Sequence, residues 1–242
     1  MRRRRLIRYL FVALVLLAGL FVAADVVSLQ VAESRAAAQI ARTTGAERVQ
    51  VDLGSFPFLP SLWRGRLDQV TVDGYRLSGG GLRVERLEGR ASDVTFDRSK
   101  IIALIRSRYA DRAKVVGGGA IGRIDITQED LAEFLKNREP RVRGVRVTRA
   151  GVEVEFEPVA GVELPKARFL PVMVDGRLVL NLTGAGEIPR PLQDGARRLE
   201  RLIDLPPVPP GLRADARLSL GVIQVEASGP RVQMEIGEGG IQ

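Results

Sequence analysis

The charge pattern at the N-terminus constrains this chain more than any other feature. Arginines occupy positions 2–5 and 8, and roughly sixteen uncharged, mainly apolar residues follow at positions 9–24. A bilayer core needs about 20 such residues, and the apolar side chains at 26, 27 and 29 can extend the run past Asp25. The pattern therefore predicts a helix that reaches across a membrane.

The same pattern divides the chain into three parts. Because arginines collect on the cytoplasmic side of a membrane, residues 1–8 are expected to form a basic cytoplasmic flank and residues 9–29 a transmembrane anchor or signal peptide. Residues 30–242 then form an exported domain, in the periplasm or otherwise outside the cytoplasm. Val22 and Ala24 suit a signal-peptidase cut, but an uncleaved single-pass anchor fits the length as well. Both alternatives stay open.

The composition removes several classes of chemistry. The chain contains no histidine and no cysteine, which excludes Ser-His-Asp and Cys-His nucleophiles, the common zinc sites and lipoprotein attachment. The sequence thus predicts a protein that is not an enzyme and carries no catalytic residues, no metal and no cofactor. A metal-dependent hydrolase built on Asp125 and Asp130 is an alternative, although acidic residues there also suit the start of a helix.

The charge balance argues against nucleic acid as a partner. The formal net charge is +8, and subtracting the five N-terminal arginines leaves +3 for the rest of the chain. Aromatic residues make up only 5% of the sequence, so the stacking platform of a single-strand binder is missing. The expected partners are membrane and lipid.

Apolar residues alternate with polar ones in many short segments after residue 45, of which Val49, Val51 and Leu53 form the first. This period of two, punctuated by Gly, Asp and Pro, predicts a mainly antiparallel sheet. Helical periodicity runs from Val26 to Thr44, where Gly45 is the expected C-terminal stop, and returns near Ile101, after Thr127 and after Pro191. The predicted fold class is α+β, with a long curved antiparallel sheet wrapped around one or more helices and an apolar groove between them.

One segment concentrates large apolar side chains directly after the first predicted strand. It contains Phe56, Phe58, Leu59, Leu62 and Trp63, interrupted by two prolines that keep it out of a sheet interior. Such residues either plug a core or face lipid. We predict that these five residues form the groove mouth or the membrane-facing edge of the domain.

The chain resembles the LmeA-like family of actinobacterial phospholipid-binding envelope proteins, whose fold is similar to the tubular lipid-binding proteins. The resemblance rests on the stretch from Val49 through Pro60, on the segment from Gly122 to Leu131, on Leu170-Pro171 before the Asp175-Gly176 turn, and on residues 205–212. It implies phospholipid binding and a role in maintaining or elongating lipoglycans (mannans) of the cell envelope. Envelope biosynthesis enzymes are further candidate partners.

Two further points concern the headgroup of the lipid and a rival interpretation of the protein. Arg106, Arg108 and Arg112 flank the apolar face of the helical segment near Ile101 and are candidates for contact with anionic headgroups, although a solvated helix face explains them too. The rival interpretation is a scaffold protein that docks an envelope enzyme and whose interior is filled by side chains.

Overall fold

A single helix begins the fold and joins the predicted anchor to the predicted domain without a break. In the computed structural model, which describes residues 2–79, 81–97, 113–158, 165–174, 177–183, 199, 211–237 and 240–241, helix α1 spans Arg2–Thr44. It contains no proline and a single glycine, Gly19. The helix ends as predicted at Gly45, whose φ of 62° is the left-handed conformation typical of a helix C-terminus.

Two short helices and thirteen strands make up the rest of the described chain. The helices are α2 (Phe58–Arg64) and α3 (Gln128–Arg138). The strands are β1 (Arg48–Leu53), β2 (Arg66–Gly79), β3 (Leu82–Phe96), β4 (Ala113–Gly117), β5 (Gly119–Thr127), β6 (Val142–Thr148), β7 (Gly151–Phe156), β8 (Ala167–Val174), β9 (Arg177–Thr183), β10 (Arg213–Ser219), β11 (Val222–Gly229), β12 (Val232–Gly237) and β13 (Gly240–Ile241).

The strands form two antiparallel sheets where the sequence predicted one. The larger has nine strands and centres on β3, which pairs with β2 along one edge and with β5 and β4 along the other. It continues through β1 beyond β2, through β11 and β10 beyond β5, and through β12 and β13 beyond β4. The smaller sheet is the meander β6-β7-β8-β9. The α+β class and the mainly antiparallel pairing are confirmed.

The face that the central strands bury changes along their length. In β3, Leu82 and Val84 are buried at even positions, whereas Leu87 and Ala91 pack inward at odd positions. The inward parity returns to even at Val94. Asp93 (φ 49°) precedes this second change, and Arg76 (φ 50°) lies on β2 beside the first. These positive φ angles let two long strands contribute to two separate cores.

The two cores lie at opposite ends of the large sheet. The distal core contains the buried faces of α3 and of the second sheet, with Phe134 and Phe169 among its largest side chains. The proximal core contains Phe58, Leu67, Val94 and Val115, with partly buried residues of α1, α2 and the sheet around them. The proximal core is the one that lies beside α1.

Helix α3 has the N-terminus that the sequence predicts. The Thr127 side chain accepts a hydrogen bond from the Asp130 backbone amide at 3.2 Å, which satisfies one of the amides that a helix start leaves without a partner. Leu131, Phe134 and Leu135 are the buried stripe. The predicted helices near Ile101 and after Pro191, together with residues 205–210, lie outside the described residues apart from Leu199.

Candidate functional site

The aromatic segment forms helix α2 and the two residues before it. The structure brings all five predicted residues together on this element but places them differently. Phe56 and Trp63 are 69% and 71% exposed, whereas Phe58 is 3% exposed and belongs to the proximal core. Leu59 and Leu62 are half-buried against the same core. Phe56 and Trp63 are thus the members of the set that can contact a lipid in the described conformation.

A carboxylate from α1 holds the N-terminus of α2. Asp25 Oδ2 accepts a hydrogen bond from the Phe58 amide at 2.7 Å, and Oδ1 accepts one from the Leu59 amide at 2.6 Å. Asp25 is 1% exposed. Residue Pro57, at the N-cap position of α2, makes no side-chain cap bond, so Asp25 supplies the acceptors that a local Ser or Asp provides in other helices. Sequence reasoning missed this residue's role.

A second acidic residue of α1 attaches the helix to the sheet. Glu33 Oε1 accepts a hydrogen bond from the Leu53 backbone amide at 3.0 Å. Leu29 and Ala32 pack against the proximal core from the same side of the helix. Strand β1 pairs only with β2 among the described strands, and α1 packs against β1, so the helix covers this edge of the sheet. The helix is therefore an integral part of the domain from Asp25 onward.

The N-terminal half of α1 has a different environment. Phe11, Leu16 and Leu20 are between 64% and 69% exposed, and the helix from Phe11 onward is long and apolar enough to cross a membrane. Among the described residues it is the one helix that meets this criterion, which a signal sequence meets as well. A large apolar surface of this kind requires a cover of lipid or protein.

A row of small side chains separates the two cores on the inner face of the large sheet. It crosses β1, β2, β3, β5, β11 and β10, and its members, here called the small-residue row, are Val51, Val72, Gly89, Gly122, Ala227 and Ala214. On β3, Gly89 lies between Leu87 of the distal core and Ala91 of the proximal core.

The glycines of this row have room in front of them. A Cβ placed on Gly89 would meet only the Val72 backbone oxygen, at 4.0 Å, and one placed on Gly122 only the Glu88 oxygen, at 3.8 Å, among the described atoms. Neither glycine has a positive φ, so backbone conformation does not require glycine there. Sequence reasoning missed this row, because its members come from six separate strands.

The outer face of the same strands carries paired charges. Arg123 donates from Nε to Asp125 Oδ1 at 3.0 Å, and this hydrogen bond, with the charge of Asp125, raises the pKa of the arginine. Glu88 and Glu226 lie opposite Arg123 on the neighbouring strands. This pattern is a solvated face of a sheet.

The two carboxylates of the hydrolase alternative have separate partners. Asp125 pairs with Arg123, whereas Asp130 Oδ2 accepts a hydrogen bond from the Thr127 hydroxyl at 2.6 Å. Within the described part of the chain, no group of three or more acidic residues could hold a metal ion. The headgroup candidates Arg106, Arg108 and Arg112 lie outside the described residues.

These features define a class of protein: a mainly antiparallel α+β domain built directly onto an N-terminal apolar helix. A family model described as LmeA-like phospholipid-binding matches residues 23–228, which is most of the chain. The chain belongs to this family, and the resemblance stated from its sequence is confirmed. The match begins two residues before Asp25, so it includes the part of α1 that packs on the domain. No curated protein and no solved structure matches the chain.

Proposed function

We propose that the chain is a membrane-anchored, extracytoplasmic phospholipid-binding protein that supports maintenance of cell-envelope lipids or lipoglycans (mannans). The observation that carries the proposal is membership of a phospholipid-binding family over residues 23–228. The exposed apolar surface of α1 supports an anchor, and the arginines at 2–5 and 8 support a cytoplasmic N-terminus. Envelope biosynthesis enzymes are proposed partners.

The acyl chain is proposed to lie across the small-residue row. The two cores supply apolar walls on either side, and Gly89 and Gly122 leave space between them in the described structure. Each CH₂ group that leaves water contributes about 0.8 kcal/mol, so a long chain is held firmly without a polar contact. Binding of this kind selects weakly among headgroups.

The residues predicted from the sequence take distinct parts in this proposal. Phe56 and Trp63 contact lipid at the mouth, while Phe58, Leu59 and Leu62 hold α2 against the proximal core. Arg106, Arg108 and Arg112 remain proposed partners of anionic headgroups. Arginine suits this part because its guanidinium donates several hydrogen bonds to phosphate oxygens.

The proposal is tested by native mass spectrometry and lipid extraction on the full chain released from detergent micelles. The wild type is expected to retain phospholipid in stoichiometric amount. Gly89→Leu, which fills the small-residue row, is expected to lose most of it. Arg90→Leu is the matched control, because it adds the same side chain one residue along, at an exposed position of β3.

The outcomes separate the hypotheses. Equal retention of phospholipid by Gly89→Leu and Arg90→Leu would show that the acyl chain does not lie in the small-residue row, although the protein still binds lipid. A wild type without phospholipid, after exposure to its host membranes, would contradict lipid binding and favour the scaffold interpretation. Circular dichroism of each variant checks that the β-sheet content is retained.

A further inference from the structure

The apolar surface of α1 continues past the first charged residue of the exported side. Val26, Val27 and Val31 are 40%, 59% and 44% exposed. From Phe11 to Val31 the helix extends about 31 Å at 1.5 Å per residue, and a bilayer hydrocarbon core is about 30 Å thick. The apolar surface therefore matches the membrane only if the turn containing Asp25 lies inside its outer boundary.

The surroundings of Asp25 suit a position inside the outer boundary of the membrane. It is the one charged residue between positions 9 and 32, and an ionised carboxylate within a membrane is costly unless it has partners. Both of its oxygens accept amide hydrogen bonds from α2, and it is 1% exposed. These bonds fix the N-terminus of α2 at the level of Asp25, about 9 Å below Val31 along the helix axis.

Helix α2 carries the side chains that this level of a bilayer accommodates. Phe56 and Trp63 are exposed, and aromatic residues concentrate at membrane interfaces. Arg64, exposed directly after Trp63, keeps the C-terminal end of α2 from sinking deeper because its charge requires the headgroup region. Helix α2 packs against α1, and its exposed apolar side chains are followed along the chain by positive charge.

We propose that α2 is embedded in the outer boundary between headgroups and acyl chains, with Phe56 and Trp63 inserted among the phospholipids of the bilayer. This inference rests on the part of the proposed function in which α1 is a membrane anchor. The occupant of the surface formed by Phe56 and Trp63 is the bilayer itself. The domain then meets the membrane through a rigid edge beside the proximal core, and a phospholipid reaches the small-residue row from that edge.

The experiment uses the fact that Trp63 is the only tryptophan in the chain. The full-length protein is placed in phosphatidylcholine–phosphatidylglycerol nanodiscs that contain phosphatidylcholine with a nitroxide either near the glycerol or near the chain terminus. Trp63 fluorescence is expected to lose most of its intensity to the shallow label and little to the deep one. Iodide in the buffer is expected to quench it weakly.

A matched control places the tryptophan elsewhere at the same exposure. Leu220 is 71% exposed, as Trp63 is, and lies in the turn between β10 and β11, beside the start of α3 at the distal end of the large sheet. In the double variant Trp63→Phe/Leu220→Trp, iodide is expected to quench strongly and the lipid labels not at all. Strong iodide quenching of wild-type Trp63 without quenching by either label would overturn the proposal.

A labelled phospholipid held in the small-residue row would also quench Trp63, so Gly89→Leu separates the two sources. Retained shallow quenching in Gly89→Leu supports insertion into the bilayer, and its disappearance would overturn it. The proposed function can be contradicted without contradicting this inference. If wild-type protein carries no co-purifying phospholipid but its Trp63 is still quenched by the shallow label, insertion of α2 into the bilayer is supported and binding of a phospholipid in the small-residue row is not.

Discussion

Asp25 and Phe58 are 33 residues apart, and the Phe58 amide donates a hydrogen bond of 2.7 Å to the Asp25 carboxylate. The bond joins α1 to a helix that lacks a side-chain cap of its own. Since Leu59 donates to the other oxygen of the same carboxylate, one buried group satisfies two amides at the start of α2. The position of α2 therefore depends on α1, and the apolar helix is more than a tether.

The Asp25→Asn variant tests this dependence. The asparagine side chain keeps one acceptor oxygen and replaces the other with an NH₂ group, which is itself a donor. One of the two backbone N–H groups of α2 therefore loses its acceptor. Leaving a buried donor without a partner costs about 1–3 kcal/mol. We expect faster hydrogen exchange at Phe58 and Leu59, measured in nanodiscs by mass spectrometry.

Asp215→Asn is the control for this substitution, because Asp215 is exposed on β10. Its exchange pattern should match that of the wild type. Unchanged exchange at Phe58 and Leu59 in Asp25→Asn would show that α2 holds its position through packing on the proximal core alone.

Phe56 and Phe58 provide a second comparison, because they differ little in sequence context and greatly in burial. Phe58 is 3% exposed in the proximal core and Phe56 is 69% exposed. Phe58→Ala is expected to cost about 3–5 kcal/mol, as for other buried phenylalanines. Phe56→Ala is expected to stay within about 0.5 kcal/mol. Unfolding by denaturant in detergent measures the stability of both variants. Similar losses of unfolding free energy would contradict the placement of Phe58 in the core and of Phe56 on the surface.

The sequence was sufficient for the elements with strong local signals. Gly45 ends α1, and the Thr127 and Asp130 pair begins α3, since glycine and capping residues act through the adjacent backbone. The alternating strands and their antiparallel pairing follow from a period of two. The membership of two sheets does not, because strands of both sheets show the same alternation.

The remaining features depend on contacts between distant parts of the chain. No local pattern identifies α2 as a helix, since prolines and aromatic residues occupy its first turns and its cap comes from Asp25. The small-residue row has members on six strands, so it emerges only with the register. The positive φ angles of Arg76 and Asp93 decide which side chains of β2 and β3 face inward. Because neither residue is a glycine, nothing in the sequence marks these angles.

Gly65, directly after α2, is expected to tolerate no side chain. Its φ is 70°, and a Cβ there would lie 2.7 Å from the Phe96 carbonyl oxygen. Gly221 has a similar φ of 77° but no described atom within 4 Å of the added Cβ. Gly221→Ala should cost about 1–2 kcal/mol for the left-handed conformation alone, and Gly65→Ala distinctly more. Thermal unfolding of both variants checks this order, and equal losses would contradict the close approach.

The ion pair between Glu155 and Lys166 gives the smaller sheet a pH dependence. Lys166 Nζ lies 2.6 Å from Glu155 Oε1, and the hydrogen bond and positive charge lower the pKa of the glutamate from its ordinary value of 4.5. A carboxyl group whose pKa is lower in the folded state stabilises the fold above its unfolded pKa. That contribution disappears as the pH falls through the folded pKa.

Glu155→Gln is therefore expected to lower the melting temperature slightly at neutral pH, since both partners are largely exposed and water screens their attraction. The difference from the wild type should shrink as the pH falls below 4.5 and vanish in stronger acid, where the wild-type glutamate is protonated as well. Glu157→Gln is the control, because Glu157 is exposed nearby and forms no ion pair with a described residue. A Glu155→Gln difference that stays constant from neutral to acid pH would assign the effect to packing of the side chain instead of its charge.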